Sequence, residues 1–307
     1  MGQLSNFTFA FCGAVALSGA AYAQQFSGAA TLGYSHSSIS NGGGDVNSWT
    51  LDAVGDLAFS NNMTLGMVGS FANIDPDGAG DLDAMDLGLD LRYQFTNGAR
   101  LGAYVDYASL NPSPGGSIDL TSYGVMGGYE ADRFNIDLHV GVTDTSPTIA
   151  PGLDWVDFGL NVGYDVSDNT RLAGHYIVSN LSVGGGDVNL TSFGIAADHH
   201  FGQGWSAYGG LSWFDIDVVN IEMVSASVGV GYDMSQVVNV PVQLSLELAR
   251  NTVNASGGGF ATDMDTIRVG VTMPLGQNTR AIPQNSAAAK IMRPRHNAAS
   301  TALSMAF

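Results

Sequence analysis

The chain has 307 residues, of which 45% are hydrophobic and 12% are charged, and its net charge is −18. All 28 acidic residues lie between Asp45 and Asp265, a balance that disfavours nucleic acid as a partner and favours cations. After the N-terminal segment, no run approaches the roughly 20 apolar residues of a membrane-spanning helix, which excludes a helical membrane protein.

Residues 1–23 are typical of a secretion signal. An apolar run from Phe7 to Ala20 precedes Ala21-Tyr22-Ala23, the small-x-small pattern of a signal-peptidase site. We expect cleavage after Ala23, although no Lys or Arg precedes the apolar run; a buried helix of the folded protein is the alternative. The only cysteine, Cys12, lies inside this segment, so the mature chain would have neither disulfides nor thiol chemistry.

The stretch 83–107 predicts a β-hairpin with one apolar and one polar face. Hydrophobic side chains recur at every second position between 85 and 95, and polar residues such as Asp86 and Asp90 alternate with them. This period of two indicates a strand, and it resumes after a polar turn. The polar face lacks the bulky aliphatic side chains of a soluble core, so we expect lipid on the apolar face and water on the polar face.

The same hairpin repeats along the chain. Each repeat places an aromatic residue before a short polar turn, at intervals of 31 to 37 residues. We identify fourteen strands between Phe26 and Leu275 and predict an all-β, transmembrane, antiparallel up-and-down barrel over residues 24–276; twelve and sixteen strands stay open as alternatives. The aromatic residues beside the turns would form a girdle at the periplasmic interface: Phe59, Phe95, Tyr129, Tyr164, Phe201 and Tyr232.

Strand alternation also predicts which charged side chains face the lumen. If the lumen holds water, its carboxylates stay ionised, concentrate cations and repel anions. The alternative is a lumen closed by Asp–Arg pairs, in which the same residues are structural. The predicted pore-lining residues are Asp52, Asp56, Asp86, Asp90, Arg92, Asp106, Asp137, His139, Asp157, Arg171, His175, Asp198, Glu247 and Arg268.

Two further clusters suggest metal or catalytic chemistry. Four carboxylates in one loop would suit a hard cation such as calcium, but EF-hand spacing is missing, so we favour a solvated acidic loop. In Asp198-His199-His200 the histidines point to opposite faces of a strand and cannot bind one ion. No segment supplies a converging catalytic set, and we expect neither enzyme activity nor a cofactor. The four loop carboxylates are Asp75, Asp77, Asp81 and Asp83.

Residues 277–307 break the strand pattern. They contain two prolines, many Ala and Ser, and four of the ten basic residues. We interpret them as a flexible basic tail in the periplasm. One alternative is a terminal strand formed by Leu303, Met305 and Phe307. Another is that the basic tail folds back into the acidic lumen as a gate.

The chain resembles the Gram-negative porin family, particularly its compact alphaproteobacterial members, in the signal ending, the start Phe26-Ser27-Gly28, the repeated hairpin and two Gly-Tyr-Asp strand ends. The resemblance implies an outer-membrane channel for passive diffusion of small hydrophilic solutes and ions, surrounded by outer-membrane lipids. Homo-oligomer formation stays open. An Arg-rich inward wall and a long constriction loop are missing. A non-conducting structural or adhesion barrel and an outer-membrane enzyme are the alternative functions.

Overall fold

A computed structural model describes residues 25–40, 43–238, 240–255, 260–276 and 282–306. Fourteen antiparallel strands form a closed barrel, in which each strand pairs with its neighbours in sequence. The prediction of an all-β barrel with fourteen strands is therefore confirmed. The expected signal segment and its cleavage site lie outside the described residues, as do Arg280 and Phe307.

The strands extend further than the sequence pattern indicates. Their bounds are β1 Gln25–Ile39, β2 Asp45–Ala58, β3 Met63–Pro76, β4 Leu82–Gln94, β5 Ala99–Pro112, β6 Ile118–Ala131, β7 Phe134–Ser146, β8 Asp154–Ser167, β9 Thr170–Val183, β10 Gly186–Gly202, β11 Trp205–Ile216, β12 Ile221–Asp233, β13 Gln243–Ala255 and β14 Phe260–Gly276. Backbone pairing continues past the last apolar side chain because unpaired N–H and C=O groups are costly.

Strands β1 and β14 close the barrel, with Ser27 opposite Gly276. We call the end where β1 begins and β14 ends the terminal end, and the opposite end the distal end. The hairpin turns of the sequence pattern lie at the terminal end. In the turn between β4 and β5, Gly98 has a φ of +85° and approaches the carbonyl oxygen of Glu130 so closely that a Cβ would clash.

The two faces of the wall differ as the alternation predicts. Leu89 and Leu91 are 47% and 43% exposed on the outer face of β4, whereas Asp86 on the inner face of the same strand is 5% exposed. The six aromatic residues of the predicted girdle lie beside the terminal-end turns, and Tyr232 contacts Trp205 with ring centroids 4.8 Å apart. Their role at a membrane interface stays a prediction.

The C-terminal segment lies inside the barrel. We call residues 282–306 the plug; it contains two short helices, α1 Ala287–Met292 and α2 Ala298–Ala306. Ser286 caps α1 by accepting the N–H of Ala289 at 3.2 Å. Among the described residues, no helix is both long and apolar enough to cross a membrane.

Two interpretations of the tail are wrong for the described residues. A flexible tail disagrees with the buried helices, and a terminal strand disagrees with Leu303 and Met305, which lie in α2. Ala-rich sequence favours helix, and contacts with the barrel wall hold it. The fold-back alternative agrees with the structure in its placement of the basic residues, because Lys290 and Arg295 pair with inward carboxylates.

Candidate functional site in the barrel lumen

Helix α1 packs against the inner face of β9, β10 and β11. Ala288 and Ile291 are buried there together with Ala196 and Tyr208. Glycine makes room for the helix: a Cβ added at Gly210 would lie 2.6 Å from Cδ1 of Ile291. This wall therefore recognises the shape of the plug.

Helix α2 fills part of the distal half of the lumen. Ala298 and Ala302 form a buried apolar cluster with Ile177, Leu190 and Phe214, which come from β9, β10 and β11. These apolar side chains face inward, as Ala196 does beneath α1. They remove the apolar surface of α2 from contact with water, which stabilises the helix in this position.

The opposite wall binds the plug through charge. Inward carboxylates of β2, β4 and β5 each pair with one basic side chain of the plug, and we call this set the acidic wall. The pairs are Asp52 with Lys290, Asp56 with Arg293 (2.7 Å), Asp86 with Arg295, and Asp106 with His296 (2.8 Å).

Because these ion pairs are buried, each charged group depends on its own partner for compensation. The side chains of Arg295 and Asp86 are 2% and 7% exposed, and those of Lys290 and Asp52 are 9% and 4% exposed. Within the described part of the chain, the carboxylates of Asp86 and Asp106 accept hydrogen bonds only from the plug. Removing one partner of such a pair costs about 3–5 kcal/mol, because the other charge stays buried and unpaired.

Backbone groups of the plug are also held by the wall. The carboxylate of Glu247 accepts the N–H of Ala287 at 3.1 Å, where α1 begins. The hydroxyl of Ser179 accepts the N–H of Ala298 at 3.0 Å, where α2 begins. These first-turn amides lack partners within their own helices, so the wall supplies the missing acceptors.

Two histidines predicted to line the pore anchor the plug instead. The Nε2 atom of His139 donates to the carbonyl of His296 at 2.9 Å, and Nδ1 of His175 donates to the carbonyl of Ile291 at 3.3 Å. A carbonyl oxygen can only accept, so each of these nitrogens carries a proton. His296 also stacks on Tyr104 with ring centroids 3.7 Å apart.

A buried serine–histidine pair does not form a catalytic triad. Nε2 of His175 lies 3.1 Å from the hydroxyl of Ser192, but Nδ1 faces the Ile291 carbonyl where a triad has a carboxylate. Both side chains are buried beneath the plug. The expectation that the protein is not an enzyme stays a prediction.

The part of the lumen near the terminal end holds two cavities. One of about 760 Å³ lies beside Asp132, Arg171 and Arg293. A second of about 390 Å³ is lined by residues that include Arg171, Arg293, Asp106 and Arg295. Both cavities are lined by Arg171 and Arg293, so they adjoin each other beside the plug.

All fourteen predicted pore-lining residues occupy inward-facing strand positions, but they fall into two groups. The first group contacts the plug: Asp52, Asp56, Asp86, Asp106, His139, His175 and Glu247. The second group contacts barrel side chains or lines the cavities: Asp90, Arg92, Asp137, Asp157, Arg171, Asp198 and Arg268. That they line a conducting pore stays a prediction.

Sequence reasoning missed several inward residues. Arg100 lies six positions before Asp106 on β5, so it faces the lumen as Asp106 does, and it pairs with Asp137 at 2.8 Å. Trp155 donates a hydrogen bond to Asp157 at 2.9 Å. Three wall arginines, Arg92, Arg100 and Arg171, line the smaller cavity beside arginines of the plug, and the expectation that an Arg-rich inward wall is missing stays a prediction. The parity pattern would have found Arg100; nothing local in the sequence indicates the partners of the plug.

The loop carboxylates do not assemble a metal site. Among the described residues, no three His, Cys, Asp or Glu side chains are arranged to hold an ion. Asp83 instead accepts a hydrogen bond from Asn73 at 2.8 Å, between neighbouring strands. His199, from the Asp-His-His motif, lies 2.7 Å from the hydroxyl of Thr170, and His200 lies near Asp198.

Comparison with known proteins shows a similar fold in solved structures. No protein-family model matches the chain, and no curated protein matches its sequence. Similar solved structures include an anion-selective porin from Comamonas acidovorans, with 10% identity, a TM-score of 0.50 and coverage of 82% of this chain and 100% of the porin. At this identity, the likeness concerns the barrel fold alone.

Two further structures have slightly lower TM-scores. The CymD monoaromatic hydrocarbon channel has 12% identity and a TM-score of 0.48, with coverage of 82% of this chain and 89% of that channel. A FadL homologue from Pseudomonas aeruginosa has 13% identity and a TM-score of 0.49, with coverage of 81% of this chain and 90% of the homologue.

Proposed function

We propose that the protein is an outer-membrane channel for passive diffusion of small hydrophilic solutes and ions, and that the plug closes it at rest. The observation that carries this proposal is the pairing of plug cations with the acidic wall. The proposal includes export by a signal cleaved after Ala23 and a terminal end that faces the periplasm.

The membrane location is supported by the surface of the barrel. Large apolar side chains such as Leu32, Val125, Leu211 and Val228 are more than half exposed on the outer wall. A closed barrel leaves no unpaired strand edge, which a hydrocarbon environment requires. Monomeric soluble proteins rarely expose so continuous an apolar surface to water.

The channel role is supported by the chemistry of closure. A barrel of fourteen strands encloses more space than its own side chains fill. Apolar side chains would suffice to fill the lumen permanently, since a protein with a buried ion pair is often no more stable than one with a hydrophobic replacement of similar volume. Charge pairs such as Asp86 with Arg295 instead hold a plug that water and ions can replace.

Cation preference follows from the same carboxylates. Once the plug leaves, Asp52, Asp86 and Asp106 lose their basic partners and face the lumen as charges. Negative charge in a narrow water-filled passage concentrates cations and repels anions.

A sealed structural barrel is the second candidate. Its support is the depth of burial of the plug, where Ala288, Ala298 and Thr301 are fully buried. In that case the plug would be a permanent part of the core, and the cavities at the terminal end would be blind.

The test is planar-bilayer recording of the full chain and its Lys290→Gln/Arg295→Gln variant. Loss of two buried cations leaves Asp52 and Asp86 without a cationic partner and weakens docking by at least about 3 kcal/mol, so we expect the open fraction to rise about 100-fold. The reversal potential in a salt gradient should lie on the cation side. Arg250→Gln, which removes the exposed pair with Asp265, is the matched control and should behave as wild type.

Two results would contradict the proposal. Absence of conductance steps from wild type and variant alike would favour the sealed barrel. An anion-side reversal potential would leave the channel standing and refute the assignment of the inward carboxylates.

A further inference from the structure

We infer that the acidic wall is a binding site for small oligocations, molecules with two or more ammonium or guanidinium groups, and that such a solute displaces the plug. This inference rests on the proposed function in one respect, because it takes the displaced state to be the open channel. The plug is then an internal occupant of the solute site.

The carboxylates of the wall lie in a defined row. Ser70 on β3 is opposite Asp52 on β2 and opposite Asp86 on β4. Neighbouring strands are about 4.8 Å apart, so Asp52 and Asp86 are about 10 Å apart. Asp106 continues the row on β5, opposite Gly88. Such a row fits an extended chain that carries cationic groups at intervals.

Two buried oxygens of the row have no partner. Oδ2 of Asp52 and Oδ1 of Asp86 make no hydrogen bond within the described part of the chain, although their side chains are 4% and 7% exposed. The plug therefore does not saturate the acceptors of its own site. An ammonium group has three donors and a guanidinium five, so a small cation free of helix geometry can satisfy oxygens that the plug leaves unpaired.

The two walls of the lumen recognise different properties of the plug. Opposite the acidic wall, α1 rests on Ala196 and beside Gly210, which offer shape and no charge. The ion pairs with basic side chains of the plug are thus confined to one wall, which a flexible oligocation can occupy without the apolar contacts of the helices.

A cavity touches the edge of the site. The smaller cavity reaches Asp106, Arg295 and His296, which are the last members of the charge-paired row. A solute that enters from the terminal end meets the edge of the acidic wall before the plug has moved. It can then replace the plug cations stepwise.

The test measures plug displacement by trypsin cleavage, with spermine as the probe. Lys290 and Arg295 are cleavage sites with 8% and 2% exposure, so cleavage at the Lys290–Ile291 and Arg295–His296 bonds reports the displaced state. A ligand that binds only the displaced state at ten times its Kd raises that population about tenfold. We therefore expect spermine to speed cleavage of the full wild-type chain about tenfold, saturably.

The controls separate site binding from screening. Butylamine at equal total ammonium and sodium chloride at equal ionic strength should have much smaller effects, and a soluble peptide substrate monitors trypsin itself. Asp86→Asn/Asp106→Asn should raise the basal rate and abolish the further response to spermine. Asp265→Asn, at an exposed position outside the lumen, should keep the wild-type response.

An unchanged cleavage rate with spermine would overturn the inference, as would an equal effect of butylamine or a full response in Asp86→Asn/Asp106→Asn. Conductance is not part of this readout. A barrel that is silent in bilayers but releases its plug with spermine would therefore contradict the proposed channel and leave the oligocation site standing.

Discussion

At the scale of single residues, the alternation of apolar and polar positions predicts which face of the wall a side chain occupies, but not which residue it pairs with. The alternation places Asp86 on the inner face, because the residues on either side of it, Met85 and Leu87, are apolar and face outward. Its partner Arg295 lies 209 positions later, in a segment without strand periodicity. A period of two is a local property, whereas this pair depends on the path by which the chain re-enters the barrel. The role of His139 was unpredictable for the same reason, since it binds a plug carbonyl.

The coupling of Asp86 with Arg295 can be measured by a double-mutant cycle. Asp86→Asn and Arg295→Gln each leave a buried charge or polar group without its partner, and each should speed trypsin cleavage at Lys290 about 100-fold. The double variant should resemble one single variant, because the second change removes the group that the first left unpaired.

Multiplicative effects of the two changes would show that the groups act independently and would contradict the pair. Arg250→Gln and Asp265→Asn form the matched exposed cycle, for which we expect changes below about twofold.

At the scale of elements, strands were predictable where one face is apolar and not beyond it. β10 begins at Gly186, four residues before Leu190, because Asp187 and Asn189 at the distal end still pair with β9. The helices of the plug were not predictable. They have six and nine residues, too few to be stable alone, so burial against β9–β11 decides their structure.

The fit of α1 to its wall predicts the effect of added bulk. Gly210→Leu places a side chain where Ile291 and Ala288 pack, and should displace α1, raise cleavage at Lys290 and raise conductance. Ala207→Leu adds similar bulk to the same strand on its outer face and is the matched control. Equal protection of the plug in both variants would contradict the packing of α1 on β11.

At the scale of the whole molecule, charge distribution carried information that periodicity did not. All acidic residues precede position 266, and four basic residues follow position 276. Attraction between these regions does not depend on strand register, so the fold-back path could be anticipated while its contacts could not. The barrel was predictable as a whole because each hairpin repeats one requirement, an apolar outside and a polar inside.

A disulfide that locks the plug in place would test whether plug release opens the barrel. A Cβ at Gly210 would lie 3.6 Å from the Cα of Ala288, close enough for a disulfide. No cysteine follows Cys12, so Gly210→Cys/Ala288→Cys introduces the only pair of cysteines after that position. This pair is introduced into the Lys290→Gln/Arg295→Gln background, with Gly210→Cys alone in that background as control.

The deciding measurement is conductance of this locked variant in a planar bilayer before and after reduction with dithiothreitol. We predict no conductance steps while the disulfide is intact and cation-selective steps after reduction, with the single-cysteine control open throughout. Equal conductance in the two redox states, or silence in both, would contradict a channel that is closed by its own C-terminal segment.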